Sequence, residues 1–252
     1  MMETTSEIID EDIKYLKDIT YKLLLEIAAE ITNKLTDKQD ELKRCKWTDG
    51  ETNTDTDFSL LACKCAEEAW LCVKQRYPQF NMITMTASIP DIIFTFSKNG
   101  KTIKVPINKI ELKSSKNRIM IGSTIGKLDI NQPLICCYRP VNTDNPYEIR
   151  CGQYHTAMGE SDTDLFQDRT PRPHLNFAKL FPYSHNKLPY SNKKKDEWVS
   201  HYGKCAVNRL NKNVSYSWQD TLTKSILYEA LQNIETMEDL RNLRELVRPT
   251  FL

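Results

Sequence analysis

Two acidic residues and a lysine provide the side chains in this sequence that are best suited to chemistry. Asp91 follows Pro90, and Glu111 and Lys113 come about twenty residues later, separated by Leu112. Carboxylate oxygens are good ligands for Mg²⁺, which usually keeps several of its waters. The metal polarises a phosphate and lowers the pKa of a bound water, and a nearby lysine positions or helps to deprotonate that water, or neutralises charge on the phosphate. If these residues converge, they form a site for phosphodiester hydrolysis, with the Leu112 backbone carbonyl as a further metal ligand.

Alternating apolar residues predict the strands that must position these side chains. The alternation runs along 92–96 and again along 103–107, and Asn99-Gly100 between them is the strongest short signal for a hairpin turn. With those two residues as the turn, the apolar residues face each other in pairs: Ile92 with Ile107, Phe94 with Val105, and Phe96 with Ile103. The sequence therefore predicts a β-hairpin that begins directly after Asp91.

The alternation changes phase beyond Ile107. The next apolar residues, Ile110 and Leu112, lie at even positions instead of odd ones. A shift of one residue in register moves every side chain to the opposite face of the sheet. We therefore predict a β-bulge between Val105 and Ile110, near Pro106, which cannot donate a hydrogen bond to the ladder.

This bulge decides whether the polar side chains meet. With one extra residue, Glu111 pairs with Ile89, and Asp91, Lys109, Glu111 and Lys113 share one face of the hairpin. The opposite face then holds Ile92, Phe94, Ile110 and Leu112. We expect carboxyl oxygens of Asp91 and Glu111 to lie within about 4–6 Å of each other, close enough to share one or two cations.

These residues resemble the signature of a known family. Pro90-Asp91 followed by Glu111-Leu112-Lys113 is similar to the PD-(D/E)xK motif of the nuclease superfamily of that name, over about residues 57–155. The resemblance implies an α/β fold with a restriction-endonuclease-like core, in which a mixed central sheet with a bent hairpin is flanked by helices. It makes Asp91 and Glu111 the metal-binding acids and Lys113 the catalytic lysine. Many members add an acid from an upstream helix, for which Glu68 is the first candidate and Glu67 the second.

The resemblance also implies an activity. A chain of 252 residues leaves no room for a helicase, ATPase or methyltransferase module beside the core, and so looks most like a type II restriction endonuclease. Such an enzyme is a homodimer that cuts double-stranded DNA at a short palindrome and uses Mg²⁺, with Mn²⁺ as a substitute. The alternatives are a repair or recombination nuclease that recognises DNA structure, and a non-catalytic DNA- or protein-binding module on a nuclease-like core.

The whole chain, 1–252, is predicted to form one domain built from helices and strands. Apolar spacing indicates one or two helices over Glu7–Lys46, a loop over 47–57 and a helix from an Asp57 N-cap to about Tyr77. Strands are predicted at Pro133–Tyr138 and Tyr147–His155, a loop-rich region at 156–216, and helices at Trp218–Asn233 and Thr236–Val247. Thr236 with Asp239 is an approximate capping box.

Positive charge is concentrated although the net charge is only +1. Residues 98–118 and 169–212 are both strongly basic, which suits a polyanion held on one face, or else an ordinary solvated surface. The second segment is the candidate DNA-recognition region, where asparagines 186, 192, 208 and 211 can read adenine edges. The predicted phosphate contacts are Lys109, Lys116, Lys187, Lys193, Lys194, Lys195, Lys204, Arg209 and Lys212.

Several classes of protein are disfavoured. Neither GxGxxG nor GxxxxGK[ST] occurs, which argues against a nucleotide cofactor. No apolar run is long enough for a membrane span, and the acidic N-terminus is unlike a signal peptide. The eight cysteines and four histidines show no zinc-like spacing. A cytoplasmic, reducing compartment is expected, in the host cell if the source is a virus.

Overall fold

The structure is a computed structural model. It describes residues 10–47, 56–123, 129–142, 144–158, 173–182, 188–194, 225, 228–229, 231–232 and 234–247. These residues form an α/β fold in which a mixed sheet of mostly antiparallel strands is flanked by helices. In the described part of the chain, none of the helices combines the length and the apolarity that crossing a bilayer requires.

Three helices precede the sheet: α1 (Glu11–Asp37), α2 (Gln39–Arg44) and α3 (Thr56–Arg76). Leu16, Leu23 and Ile27 repeat at helical spacing and are fully buried, which explains the long α1. The prediction of one or two helices over Glu7–Lys46 is thus confirmed, and there are two. The predicted N-cap is wrong, because Asp57 lies inside the first turn of α3, where its carboxylate accepts a hydrogen bond from the Lys46 N–H (2.9 Å).

The strands are β1 (Ile83–Ser88), β2 (Ile92–Lys98), β3 (Lys101–Ile103), β4 (Lys109–Ser115), β5 (Ile119–Ile121), β6 (Pro133–Tyr138), β7 (Glu148–Gln153) and β8 (His174–Asn176). The main sheet has the order β1-β2-β4-β6-β7, with β3 paired to β2, and β5 and β8 form a separate pair. All pairs are antiparallel except β4 with β6. Two further α-helices are α4 (Tyr154–Ala157) and α5 (Met237–Val247), and short 3-10 helices lie at Pro78–Phe80 and Phe177–Lys179.

The hairpin turn predicted at Asn99-Gly100 is confirmed. Both residues have positive φ, 51° and 74°, as a two-residue turn of this kind requires. Phe96 pairs with Ile103 and Lys98 with Lys101, which is the predicted register.

The predicted single-residue bulge is wrong. Ile92 pairs with Ile110 instead of Ile107, so three extra residues separate the two halves of the second strand. The strand stops at Ile103 and resumes at Lys109, and Asn108 spans part of the break. Its carbonyl accepts from the Phe94 N–H (2.7 Å) and its amide donates to the Phe94 carbonyl (3.2 Å).

The predicted faces are nevertheless those observed. A shift of three residues, like a shift of one, is odd, so it moves the same side chains to the same face. Ile92, Phe94, Ile110 and Leu112 are all buried in the core beneath the helices. The predicted pair of Phe94 with Val105 is wrong, because Phe94 bonds to Asn108. The predicted pair of Glu111 with Ile89 is also wrong: since Ile92 pairs with Ile110, the next residues along the two strands, Asp91 and Glu111, lie opposite each other.

The sheet separates two apolar clusters. Helices α1 and α3 cover one face, where Ile135, Cys137, Ile149 and Cys151 join the main core. On the other face, Leu134 and Cys136 pack with residues that follow β7 or belong to the β5–β8 pair, including Met120, Tyr154, Leu175 and Phe177. Strand β6 is therefore buried on both faces, as its continuous apolar run predicts.

Other predictions are confirmed where the structure describes the residues. Strand β6 has the predicted bounds, and β7 is shorter than predicted because α4 begins at Tyr154. Helix α5 begins one residue after the predicted start and ends at the predicted Val247. The capping box is reciprocal: the Thr236 N–H donates to Asp239 Oδ2 (2.8 Å) and the Asp239 N–H donates to Thr236 Oγ1 (3.1 Å). Most of the loop predicted at 47–57, of the region 156–216 and of the helix predicted at Trp218–Asn233 lies outside the described residues.

Candidate active site

Asp91 lies in the turn between β1 and β2 and is held from two sides. Its φ of 57° is in the left-handed region, which aspartate tolerates better than most residues. The Leu112 N–H of β4 donates to its Oδ1 at 3.0 Å, and its carbonyl accepts from the Cys63 thiol of α3 at 3.8 Å. These contacts orient the carboxylate toward β4.

Glu111 is the most deeply buried charged side chain at this place, with 4% of its surface exposed. Ser123 Oγ donates to its Oε1 at 2.5 Å, and Gln132 Nε2 donates to its Oε2 at 3.1 Å. Burial alone would raise the pKa of Glu111, but the charge of Lys113 and hydrogen bonds from Lys109, Lys113 and Ser123 outweigh burial and lower the pKa to about 2. The carboxylate is therefore ionised at neutral pH.

Two lysines neutralise the acids, and they do so differently. The Lys113 ammonium lies 2.7 Å from Glu111 Oε1. The Lys109 ammonium lies between the two acids, 2.8 Å from Asp91 Oδ2 and 2.8 Å from Glu111 Oε2. Because both oxygens contact one nitrogen, they are separated by at most twice that distance, which is within the predicted span.

The structure thus brings together Asp91, Glu111 and Lys113, as the sequence predicts. Lys109, predicted as a DNA contact, has its ammonium on the two carboxylates. Glu68, the predicted third acid, does not contact these residues. Its side chain is 62% exposed, and its carboxylate forms a 3.0 Å ion pair with Lys34 of α1.

Sequence reasoning missed the residues that support Glu111 from the connection between β4 and β6. Ser123 is placed by Tyr154, whose hydroxyl accepts from the Ser123 N–H. Gly122 allows this approach, because a Cβ at that position would overlap the Tyr154 hydroxyl and lie 2.6 Å from the Pro173 carbonyl. No spacing rule connects these residues to Glu111, although a glycine next to a serine is a weak signal of a close backbone approach.

Of the predicted phosphate contacts, Lys193 and Lys194 belong to a segment that is attached next to this site. Asn131 and the Lys193 backbone exchange two hydrogen bonds of 2.9 Å, and the Ser191 N–H donates to Gln153 Oε1 at 2.8 Å. Residues 188–194 are thereby attached beside Gln132, the partner of Glu111. Lys193, Lys194 and Lys116 are exposed. Lys187, Lys195, Lys204, Arg209 and Lys212 lie outside the described residues.

The oxygens of Asp91 and Glu111 fit a magnesium ion. They are hard ligands, and the Lys109 ammonium between them shows that a cation is stable at this position. Among the residues that the structure describes, no three His, Cys, Asp or Glu side chains form a metal-binding group. Mg²⁺ is usually bound by one or two carboxylates together with waters and substrate phosphates.

Comparison of the sequence with family models gives no match, and comparison with curated proteins gives none either. A fold class alone does not define a function, since one fold supports many activities. The side chains of the site are therefore the basis for a functional assignment.

Proposed function

We propose that this protein is a Mg²⁺-dependent endonuclease that hydrolyses phosphodiester bonds in double-stranded DNA. The observation that most supports the proposal is the convergence of Asp91, Glu111 and Lys113 on one face of the sheet, with Glu111 buried and ionised. Two acids and a lysine in this arrangement suit metal-assisted hydrolysis. An ion-pair network with only a structural role also buries charge. Such a network does not require two acids side by side, as Asp91 before β2 and Glu111 in β4 are.

Each residue has a role in the proposal. Asp91 and Glu111, with the Leu112 carbonyl, would hold the ion, and Mg²⁺ when bound would polarise the phosphate and lower the pKa of a water. Lys113 contacts Oε1 of Glu111 and would present positive charge beside the reacting phosphate. Ser123 and Gln132 orient the Glu111 carboxylate by donating one hydrogen bond to each oxygen. Glu68 belongs to the proposed ligands only if its side chain leaves Lys34.

The proposal includes a restriction-endonuclease-like core and a homodimer. The proposed core is supported by the order of elements: helix α3 precedes three antiparallel strands, β1, β2 and β4, and β6 then lies parallel to β4. A two-fold symmetric dimer would place one site on each strand of a palindrome. Basic residues at 193 and 194 would contact phosphates beside the site.

Incubation of the purified chain with a supercoiled plasmid and Mg²⁺, with and without EDTA, tests this function. Site-specific cleavage gives discrete bands that EDTA abolishes, and this is the expected result. Cutting only of branched or flapped DNA would indicate a structure-specific nuclease instead. No cutting of any substrate would leave a non-catalytic binding module.

The isosteric variants Asp91→Asn and Glu111→Gln connect the activity to the site. Each should abolish Mg²⁺-dependent cleavage, because a metal ligand is removed, while DNA binding through phosphate contacts remains. Glu41→Gln is a matched control, since this exposed glutamate on α2 pairs with Lys38 and should leave cleavage at the parent rate. Parental cleavage by either site variant would contradict the assignment.

A further inference from the structure

Lys109 differs from Lys113 in that it contacts both acids of the site. Its ammonium is 2.8 Å from an oxygen of each, and its side chain keeps 36% of its surface exposed. Lys113 contacts Glu111 through the other oxygen, Oε1, at 2.7 Å. The two lysines therefore occupy different positions around the same carboxylate.

Two neighbouring carboxylates repel each other strongly unless a cation lies between them. With Asp91 and Glu111 the cation is the Lys109 ammonium, which uses Asp91 Oδ2 and Glu111 Oε2. A divalent ion held by the same two oxygens would need the place that the ammonium occupies. Lys113 is paired with the other oxygen of Glu111, Oε1, so a cation on Asp91 Oδ2 and Glu111 Oε2 does not need the place of the Lys113 ammonium.

We infer that Lys109 is an exchangeable counter-cation of the active site, which holds Asp91 and Glu111 together in the absence of metal and leaves when a divalent cation binds. Since more than a third of its side chain is exposed, its flexible stem can carry the ammonium into solvent. The inference rests on the proposed metal site. It predicts that Lys109 weakens metal binding in the parent protein.

Titration of the full chain with Mn²⁺, followed by electron paramagnetic resonance of the free ion, tests this competition. Lys109→Gln should bind Mn²⁺ about tenfold or more tightly than the parent, because a positive charge in direct competition is removed. Lys109→Arg, which keeps the charge and can pair with both carboxylates, should bind no more tightly than the parent. Lys104→Gln is the matched control: it removes one charge from an exposed lysine of the same segment and should change the affinity little.

A second measurement uses the parent protein, in case Lys109→Gln does not fold. The side-chain Cε resonance of Lys109, assigned by its disappearance in Lys109→Arg, should shift on addition of Mg²⁺ as its ion pairs break. The inference is overturned if Mn²⁺ binds equally tightly to the parent and to Lys109→Gln, or if that resonance does not respond to a saturating cation. The proposed nuclease still stands in that event, whereas absence of Mn²⁺ binding in the parent and in every variant would remove the metal site itself.

Discussion

Glu111 shows how a carboxylate can be buried and still remain charged. An unpaired ion is too costly to remove from water, so a buried one is paired and hydrogen-bonded. Two ammonium groups, a hydroxyl and an amide provide this compensation, while Asp91 balances the second positive charge. The cluster as a whole is neutral, so a divalent ion added to it would leave an excess of two positive charges, which the departure of Lys109 would reduce to one.

The burial of Glu111 predicts a specific dependence of stability on pH. Its pKa is about 2 in the folded protein against an ordinary 4.5, so the stabilisation is present above the unfolded value and disappears as the pH falls toward 2. Glu111→Gln should reduce the free energy of unfolding by about 3 kcal/mol near neutral pH. Urea unfolding should show that this difference shrinks by about half or more by pH 3. A difference that stays constant with pH would mean that Glu111 is not held ionised.

Lys113 is expected to act on the chemical step and not on DNA binding, apart from the stability it contributes as the ion-pair partner of buried Glu111. Lys113→Ala should slow cleavage by roughly 10²-fold or more, the scale of removing one preorganised charge at a reacting phosphate. Lys113→Arg should restore activity only in part, because a planar guanidinium does not replace a compact ammonium. Single-turnover cleavage at saturating enzyme measures this. Parental activity of Lys113→Ala would reduce the cluster to a metal site without a catalytic lysine.

At the scale of elements, the hairpin shows what an apolar pattern can and cannot predict. The change from odd to even apolar positions between Ile107 and Ile110 fixes which face each side chain takes, and that prediction is confirmed. The pattern does not fix how many residues are inserted, because one and three extra residues give the same faces. The longer break is observed with Asn108 bonded to Phe94, a tertiary contact that no local pattern contains.

The residues that support Glu111 were missed for a similar reason. Ser123 and Gln132 belong to the connection between β4 and β6 and reach the carboxylate only because β6 lies parallel to β4. Such a crossover brings distant residues together without any fixed spacing. The acids and Lys113 could be predicted because Asp91 directly precedes β2, and Glu111 and Lys113 lie two residues apart on the neighbouring strand β4, so their side chains share one face.

Gly122 is the residue of that connection on which the position of Ser123 most depends. Gly122→Ala should displace the backbone, because the new methyl group overlaps the Tyr154 hydroxyl and a backbone carbonyl of Pro173. We expect a decrease of about 1–3 kcal/mol in the free energy of unfolding, the usual cost of overpacking, together with weaker Mn²⁺ binding. Gly152→Ala is the control, since its methyl group meets the end of the Leu180 side chain at 2.9 Å and the Phe181 ring at 3.8 Å, and no group at the site. Equal effects of the two variants on Mn²⁺ affinity would contradict a role for Gly122 in positioning Ser123.

At the scale of the whole molecule, the two faces of the sheet have different partners. Helices α1 and α3 cover one face, and the acids, their lysines and the second apolar cluster lie on the other. The attachment of residues 188–194 to Asn131 and Gln153 adds exposed positive charge next to Gln132, the partner of Glu111, and Leu188 of the same segment packs against the main core. We expect the phosphates of a DNA duplex bound over Glu111 to contact Lys193 and Lys194.

The double variant Lys193→Gln/Lys194→Gln tests whether this is the DNA-binding face. If both lysines bind phosphates, the affinity should fall similarly for all duplex sequences, and the slope of log K against log salt concentration should become shallower by about 1 for each phosphate that is no longer neutralised. Fluorescence anisotropy with labelled duplexes, in Ca²⁺ to prevent cleavage, measures both quantities. Lys14→Gln/Lys17→Gln is the matched control. It removes two exposed lysines from α1, the helix that covers the opposite face of the sheet, and should leave the slope near that of the parent. Equal changes in slope for the two double variants would show that net charge alone determines binding, and the face beside Glu111 would no longer be distinguished from the rest of the surface.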